Sequence, residues 1–227
     1  MKKHLVLKTT LALGILATGG IVAQQDIQAD TVVSTTVDKA EAAKKANELK
    51  SYYQKQAYDP SYVQGRKMRG KNVIEFVVDR VDYEVEVSKE VYEKYKNYDR
   101  VHLFLVKESG DNEWGASYGG VTKVNNRPET GKYFDVEVKL ENKSESQTFY
   151  TGKDEISLKE VDFRLRQDLI KHHHLYKDGE LNKGTIKVTT ADSSYTIELD
   201  KLLSREDMYK TIDATKVQKI EVDLKNN

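Results

Sequence analysis

The sequence predicts an α+β chain of two small domains, a closed β-barrel followed by a mixed sheet with one long helix laid across it. Three observations carry this reading. Five short strand-like runs with turn signals at close intervals fill the first half. A single capped, apolar-striped helix stands near residue 158. Alternating strands then close the chain, each with one apolar face. At 227 residues, 38% hydrophobic and 33% charged, the chain can build only modest cores.

The elements follow in order. Lys2, Lys3 and Lys8 precede the short apolar run TTLALGILATGGIVA, and a small residue, Ala29, stands before Asp30. This is the layout of a secretory signal peptide over residues 1–29. The alternative, a membrane anchor, is opposed by Gly19 and Gly20 and by a run shorter than the roughly 20 residues a span needs. No later stretch is apolar enough to span, so a soluble, secreted protein is expected, with no membrane insertion. Residues 30–58 form the next segment. A polar lead over 30–36 is expected to be disordered. Asp38 and Glu41 have helix-start spacing, and Ala43, Ala46, Leu49 and Tyr53 predict a helix over about 39–56.

Residues 59–145 read as the barrel. NVIEFVVD (72–79) and YEVEVS (83–88) predict a hairpin, and VYEKYKNY (91–98) a short helix. RVHLFLVKE (100–108), GASYGGVTKV (115–124) and KYFDVEVKL (132–140) supply the remaining strands. The polar run ENKSESQ (141–147) is the best boundary signal in the chain.

Residues 146–227 have a different rhythm. A strand at about 148–151 leads into the long helix. GTIKVTT (184–190), SYTIELD (194–200) and VQKIEVDL (217–224) follow as strands. Ile186 and Val188, then Tyr195, Ile197 and Leu199, then Ile220, Val222 and Leu224 each hold one face apolar. Strand, helix, hairpin and final strand is the order of a β-grasp domain. The helix itself is strongly specified. Ser157 and Glu160 have capping-box spacing, Ile156 and Val161 the spacing of a hydrophobic staple. Leu158, Val161, Leu165 and Leu169 make one stripe, and Arg164, Arg166 and Lys171 fall off it. His172, His173 and His174 sit about 100° apart around a helix and cannot converge on one ion. The stretch reads as a structural beam, and no metal site is expected.

Composition excludes several classes. Lys+Arg and Asp+Glu both number 37, and removal of residues 1–29 leaves the balance near neutral, against a nucleic-acid binder. The absence of cysteine rules out thiol catalysis, iron–sulfur clusters and thiolate zinc, and suits a bacterial exported protein. The only histidine outside the 172–174 run after residue 29 is His102, on an apolar strand. No Gly-rich phosphate loop and no paired-carboxylate motif stands out. Neither an enzyme nor a cofactor is expected.

Written as a pattern, the helix region runs Lys153, two residues, Ile156, four residues, Val161-Asp162, three residues, Arg166, two residues, Leu169, five residues, Leu175-Tyr176. It matches without a mismatch the β-grasp signature of the staphylococcal and streptococcal superantigen toxin family. YGGVT (118–122) resembles that family's barrel signature, departing from it at Arg127, where the family carries Asn. The resemblance covers essentially everything after residue 29. Within the family the chain is more similar to the superantigen-like exoproteins than to true superantigens. The cysteine-bounded loop of many enterotoxins is missing, and no His-x-Asp pair for zinc-dependent MHC class II binding occurs from residue 184 on.

The resemblance implies an N-terminal OB-fold barrel and a C-terminal β-grasp with the N-terminal helix packed between them. It implies a secreted immune-evasion virulence factor that binds a host immune protein or leukocyte receptor, acting on complement, immunoglobulin or neutrophil chemoattractant-receptor signalling, as a monomer or weak dimer. Its alternatives are sialylated-glycan binding on the β-grasp and, more remotely, bridging of MHC class II and T-cell receptors. Relatives that bind sialylated glycans use the strands after the helix. The nearest equivalents here are Lys187, for a sialic acid carboxylate, and Thr189, Ser194 and Tyr195, for hydroxyls and an aromatic face. TTADSS departs from the Gly-containing turn of those relatives, and an ordinary solvated hairpin remains the alternative. Trp114, the basic run GRKMRGK (65–71) and the 14 tyrosines are further surface candidates.

Overall fold

The computed structural model describes residues 26–107, 115–124, 131–141 and 143–226. The segment expected as signal peptide and the candidates Trp114 and Arg127 lie wholly or mainly outside the described residues. Helix α1 spans Asp26–Tyr53. It thus runs through the lead expected to be disordered and stops three residues short of the expected end. No glycine or proline interrupts residues 26–53, so nothing in the backbone stops the helix from starting earlier. Ala46, Leu49 and Tyr53 are its buried face. Among the described residues, no helix is long and apolar enough to cross a membrane.

The barrel is a six-stranded sheet. Its strands are β2 (Val63–Lys67), β3 (Val73–Val78), β4 (Val81–Glu86), β5 (Arg100–Leu103), β7 (Gly115–Tyr118) and β8 (Val121–Lys123), in the order β7-β4-β3-β2-β5-β8. Two further short strands, β1 (Ala57–Tyr58) and β6 (Leu105–Val106), pair with each other. The β3–β4 hairpin turns on Asp79 and Arg80, both left-handed. Helix α2 (Lys89–Lys94) is capped by the Ser88 hydroxyl, which accepts from the Val91 amide at 3.1 Å. Ile74, Phe76, Val85, Leu103 and Leu105 fill the barrel.

Two expected strands are each broken in two. The run 100–108 divides at Phe104, whose buried ring leaves the barrel and meets Phe163 at 5.8 Å between centroids. The run 115–124 divides at Gly119 and Gly120, so that β7 joins one end of the sheet and β8 the other. Gly119 has φ +60, and a Cβ there would lie 2.2 Å from the Met208 carbonyl oxygen. Only glycine fits.

The second sheet contains β9 (Lys132–Leu140), β10 (Lys143–Thr151), β12 (Leu181–Thr190), β13 (Ser194–Glu198) and β15 (Val217–Asn226), in the order β10-β9-β15-β12-β13. Two short strands, β11 (Glu155–Ser157) and β14 (Thr211–Asp213), pair with each other. Strand β9, expected to complete the barrel, instead runs parallel to β15 and belongs here. Of the run 141–147, expected as a boundary, residues 143–147 begin β10, which pairs with β9 from Lys143↔Leu140 to Thr151↔Lys132. Polar residues suit β10 because it is an edge strand, where a solvated ladder costs little.

Helix α3 (Leu158–His172) crosses this sheet. The Ser157 hydroxyl accepts from the Glu160 amide at 3.1 Å, and Leu158, Val161, Leu165 and Leu169 are buried as expected. Arg166 departs from expectation: although off the apolar stripe, it is 0% exposed. Its Nε donates to Asp162 Oδ1 at 2.6 Å, its Nη1 to the Tyr176 hydroxyl at 2.5 Å and the Leu199 carbonyl at 3.0 Å, and its Nη2 to the Glu198 carbonyl at 2.9 Å. Its guanidinium lies 4.5 Å from the centroid of Tyr53, whose hydroxyl donates to Asp162 Oδ2 at 2.7 Å. The charge is interior because each of its three nitrogens has an acceptor there.

Burial pushes the Tyr176 phenol up to about 12, and burial together with Asp162 pushes Tyr53 further up. An unfolded tyrosine ionises near 10. The unfolded chain therefore releases these protons first, and stability present below pH 10 declines as pH rises toward 12. Urea midpoints measured across pH 9–12 should fall along that range, and Tyr176→Phe should flatten the slope.

Candidate functional site

Both signature motifs are joints of the scaffold. Ile156, Val161, Leu169 and Leu175 lie in the core, and Lys153 is buried with its ammonium on Asp59 at 2.5 Å and Glu160 at 2.8 Å. Burial raises the Asp59 carboxyl pKa, with Glu160 beside it adding to the effect. Lys159 donates to Ser117 Oγ at 2.9 Å, tying α3 to the barrel. Helix α4 (Arg205–Met208) places Arg205 over the Tyr118 ring at 4.1 Å, and the Tyr209 hydroxyl donates to Glu86 at 3.1 Å. Any binding surface has to be found outside these contacts.

The structure divides the four residues expected to bind glycans. On the β12–β13 hairpin Thr189 pairs with Ser194 and Lys187 with Thr196, all on the outer face of the sheet. Tyr195 pairs with Val188, whose side chain is in the core, and is itself half-buried against that core. It therefore offers no aromatic face beside Lys187. The turn between the strands is closed by Thr190, whose Oγ1 accepts from the Ser193 amide at 2.9 Å. Asp192 is held by Lys216 at 2.6 Å.

The rest of the outer face is a lattice of paired charges. Lys219 bridges Glu137 at 3.0 Å and Glu221 at 2.8 Å, and Lys139 approaches the same carboxylates at 3.4 and 3.5 Å. Hydrogen bonds from Lys219 hold both carboxyl groups below their ordinary range. At the β9–β10 end the pattern changes. Tyr133 is 72% exposed and Tyr150 45%, with ring centroids 4.8 Å apart. Beside them an open groove of about 880 Å³ is lined by Tyr133, Asp135, Glu137, Ser144, Ser146 and Lys219, among others. Sequence reasoning noted the abundance of tyrosine but not this pair, because the β9–β10 register that joins them is not written locally.

Several of the remaining candidates are engaged within the fold. Arg66 is paired with Glu75 at 2.5 Å, and Lys67 lies 4.6 Å over the Tyr92 ring. His102 is buried beside Tyr62. His173 approaches Gln147 at 3.3 Å, while His172 faces Asp168 at 3.5 Å. Among the described residues, no group of three potential ligands gathers to hold a metal.

An OB-fold barrel joined to a β-grasp sheet through Lys153–Asp59 and Lys159–Ser117 defines a two-domain binding scaffold. Residues 47–125 match the staphylococcal superantigen-like OB-fold domain, and residues 131–224 the β-grasp domain of staphylococcal and streptococcal toxins. The chain is 36% identical to Staphylococcal superantigen-like 1 of Staphylococcus aureus (strain Newman), over 99% of this chain and all of that protein. It is 33% identical to Superantigen-like protein 11 of the same strain, with the same coverage. Among solved structures it resembles a superantigen-like protein from Staphylococcus aureus in complex with sialyl-Lewis X. That match has 37% identity and a TM-score of 0.72, and covers 80% of this chain and 100% of that one. A second, in complex with 3-N-acetylneuraminyl-N-acetyllactosamine, is 36% identical with a TM-score of 0.70, over 80% and 99%. The chain therefore belongs to the staphylococcal superantigen-like proteins, a family of immune-evasion exoproteins that act by binding.

The inward turn of Tyr195 has a measurable consequence. Thermal unfolding should show Lys187→Ala and Ser194→Ala each within about 0.5 kcal/mol of the parent, as for ordinary surface positions. Tyr195→Ala should lose roughly 1–3 kcal/mol of buried aromatic contact.

Proposed function

We propose that this protein is a secreted, non-enzymatic module that binds a host immune protein or leukocyte receptor and blocks or misdirects it. In this reading residues 1–29 are removed on export and the β-grasp domain, beginning near Lys132, carries the interface. The observation that supports it best is the exposed Tyr133–Tyr150 pair beside an open groove, on a face where Lys139, Lys219, Glu137 and Glu221 are already paired. Exposed tyrosine supplies contact area together with a polar tip, which suits a protein interface. An open groove of this kind does not enclose a small substrate.

Sialylated-glycan binding is the second reading, favoured by the two glycan complexes among the similar structures. Lys187, Thr189 and Ser194 would supply a cation and two hydroxyls from the outer face, without Tyr195. Against it, Lys187 lies opposite Glu221 across the strands. Binding of labelled protein to human neutrophils, with and without sialidase treatment, separates the two. The protein-binding reading expects binding to survive sialidase and capture of a defined serum or membrane protein. Binding abolished by sialidase would replace it with the glycan reading, and failure to bind either cells or serum proteins would overturn both.

A further inference from the structure

The β9–β10 end of the outer face contains groups that the fold does not use. Tyr133 and Asp135 lie on the same face of β9, two residues apart, with Tyr150 and Thr148 opposite them on β10. The Tyr150 ring lies against Gly131, where a Cβ would come within 2.5 Å of it. Glycine at 131 thus lets the ring rest on backbone and holds the aromatic pair in place. Cations near the groove are already engaged. Lys132 is paired with Asp154, and Lys219 with Glu137 and Glu221. Asp135, by contrast, has no ion pair among the described residues, while Lys139, Lys219, Glu137 and Glu221 are all matched.

An unmatched carboxylate beside two exposed aromatic faces suits a planar cation. Tyrosine faces attract guanidinium through their quadrupole, and carboxylate accepts its N–H groups. A sialic acid suits this place poorly, because its carboxylate would meet Asp135 and Glu137 with no unpaired cation to receive it. We propose that Tyr133, Tyr150 and Asp135 form a docking site for an arginine side chain presented by a host protein, the guanidinium lying over the rings and donating to Asp135. This inference rests on the host-protein reading above and specifies where, and by what chemistry, the partner is held.

The test is an NMR titration of the full exported chain with the peptide Ac-Gly-Arg-Gly-Arg-Gly-NH2, against the same peptide with citrulline for arginine and against 3′-sialyllactose. Amide shifts should concentrate at Tyr133, Asp135, Thr148 and Tyr150, weaken with added salt, and be absent with the citrulline peptide. Asp135→Asn and Tyr133→Ala should each weaken binding about tenfold without moving the unfolding midpoint, both positions being exposed. Shifts centred elsewhere, equal binding by Asp135→Asn, equal binding of the citrulline peptide, or a response at these residues to sialyllactose alone would overturn the proposal. The Tyr133→Ala/Asp135→Asn double variant also distinguishes the two levels of inference. If it captures the host protein as well as the parent does, the arginine site falls and the host-binding reading stands. If the parent captures nothing, the host-binding reading itself falls.

Discussion

The structure depends on one buried cation. Arg166 sits where helix α1, helix α3, the segment after α3 and the end of β13 meet, and it touches all four through Tyr53, Asp162, Tyr176 and the carbonyls of Glu198 and Leu199. A guanidinium out of water is costly unless each of its donors is satisfied. Here the requirement works as a positional constraint. The three N–H-bearing nitrogens all have acceptors within 3.0 Å, so shifting any one of those elements leaves a charge or a carbonyl unpaired in the core. Hydrophobic burial supplies the driving force, from Ala46 to Leu224 in one continuous cluster, but does not by itself select a single arrangement. The directional bonds of Arg166 select it.

The second set of joints works in the same way between barrel and sheet. Lys153 joins Asp59 to Glu160, Lys159 reaches Ser117, and Gly119 lets the chain pass against the Met208 carbonyl. A scaffold fixed from inside leaves its outer faces free to differ. The residues that carry the family likeness are accordingly engaged in these joints. The outer face of the β-grasp sheet shows both outcomes side by side, a closed lattice of lysine and glutamate next to an open tyrosine pair with an unmatched aspartate.

Much of this was legible in the sequence. The Ser157–Glu160 cap, the stripe from Leu158 to Leu169 and the alternation in β12 and β15 define the β-grasp correctly, because each is a local pattern with a local cause. Arg166 was not legible. A charged residue one step off an apolar stripe reads as solvated, and its acceptors come from as far as Leu199. Strand β9 belongs to a different sheet from the one its local pattern suggests because its parallel partner, β15, is distant in sequence, Val136 pairing with Ile220. Tyr195 is a different case. Its alternation with Ile197 and Leu199 already placed it on the apolar face, in conflict with a binding role, and the structure follows the alternation. Tyr133 and Tyr150 are seventeen positions apart and become one feature only through the β9–β10 register.

The most direct test of this account is the urea unfolding free energy of Arg166→Met, a change that keeps most of the side-chain volume and removes the charge. The account predicts a loss of roughly 3–5 kcal/mol, the cost of leaving Asp162 buried without its partner. An unfolding midpoint equal to that of the parent would contradict it, and would mean that apolar packing alone sets how these elements fit together.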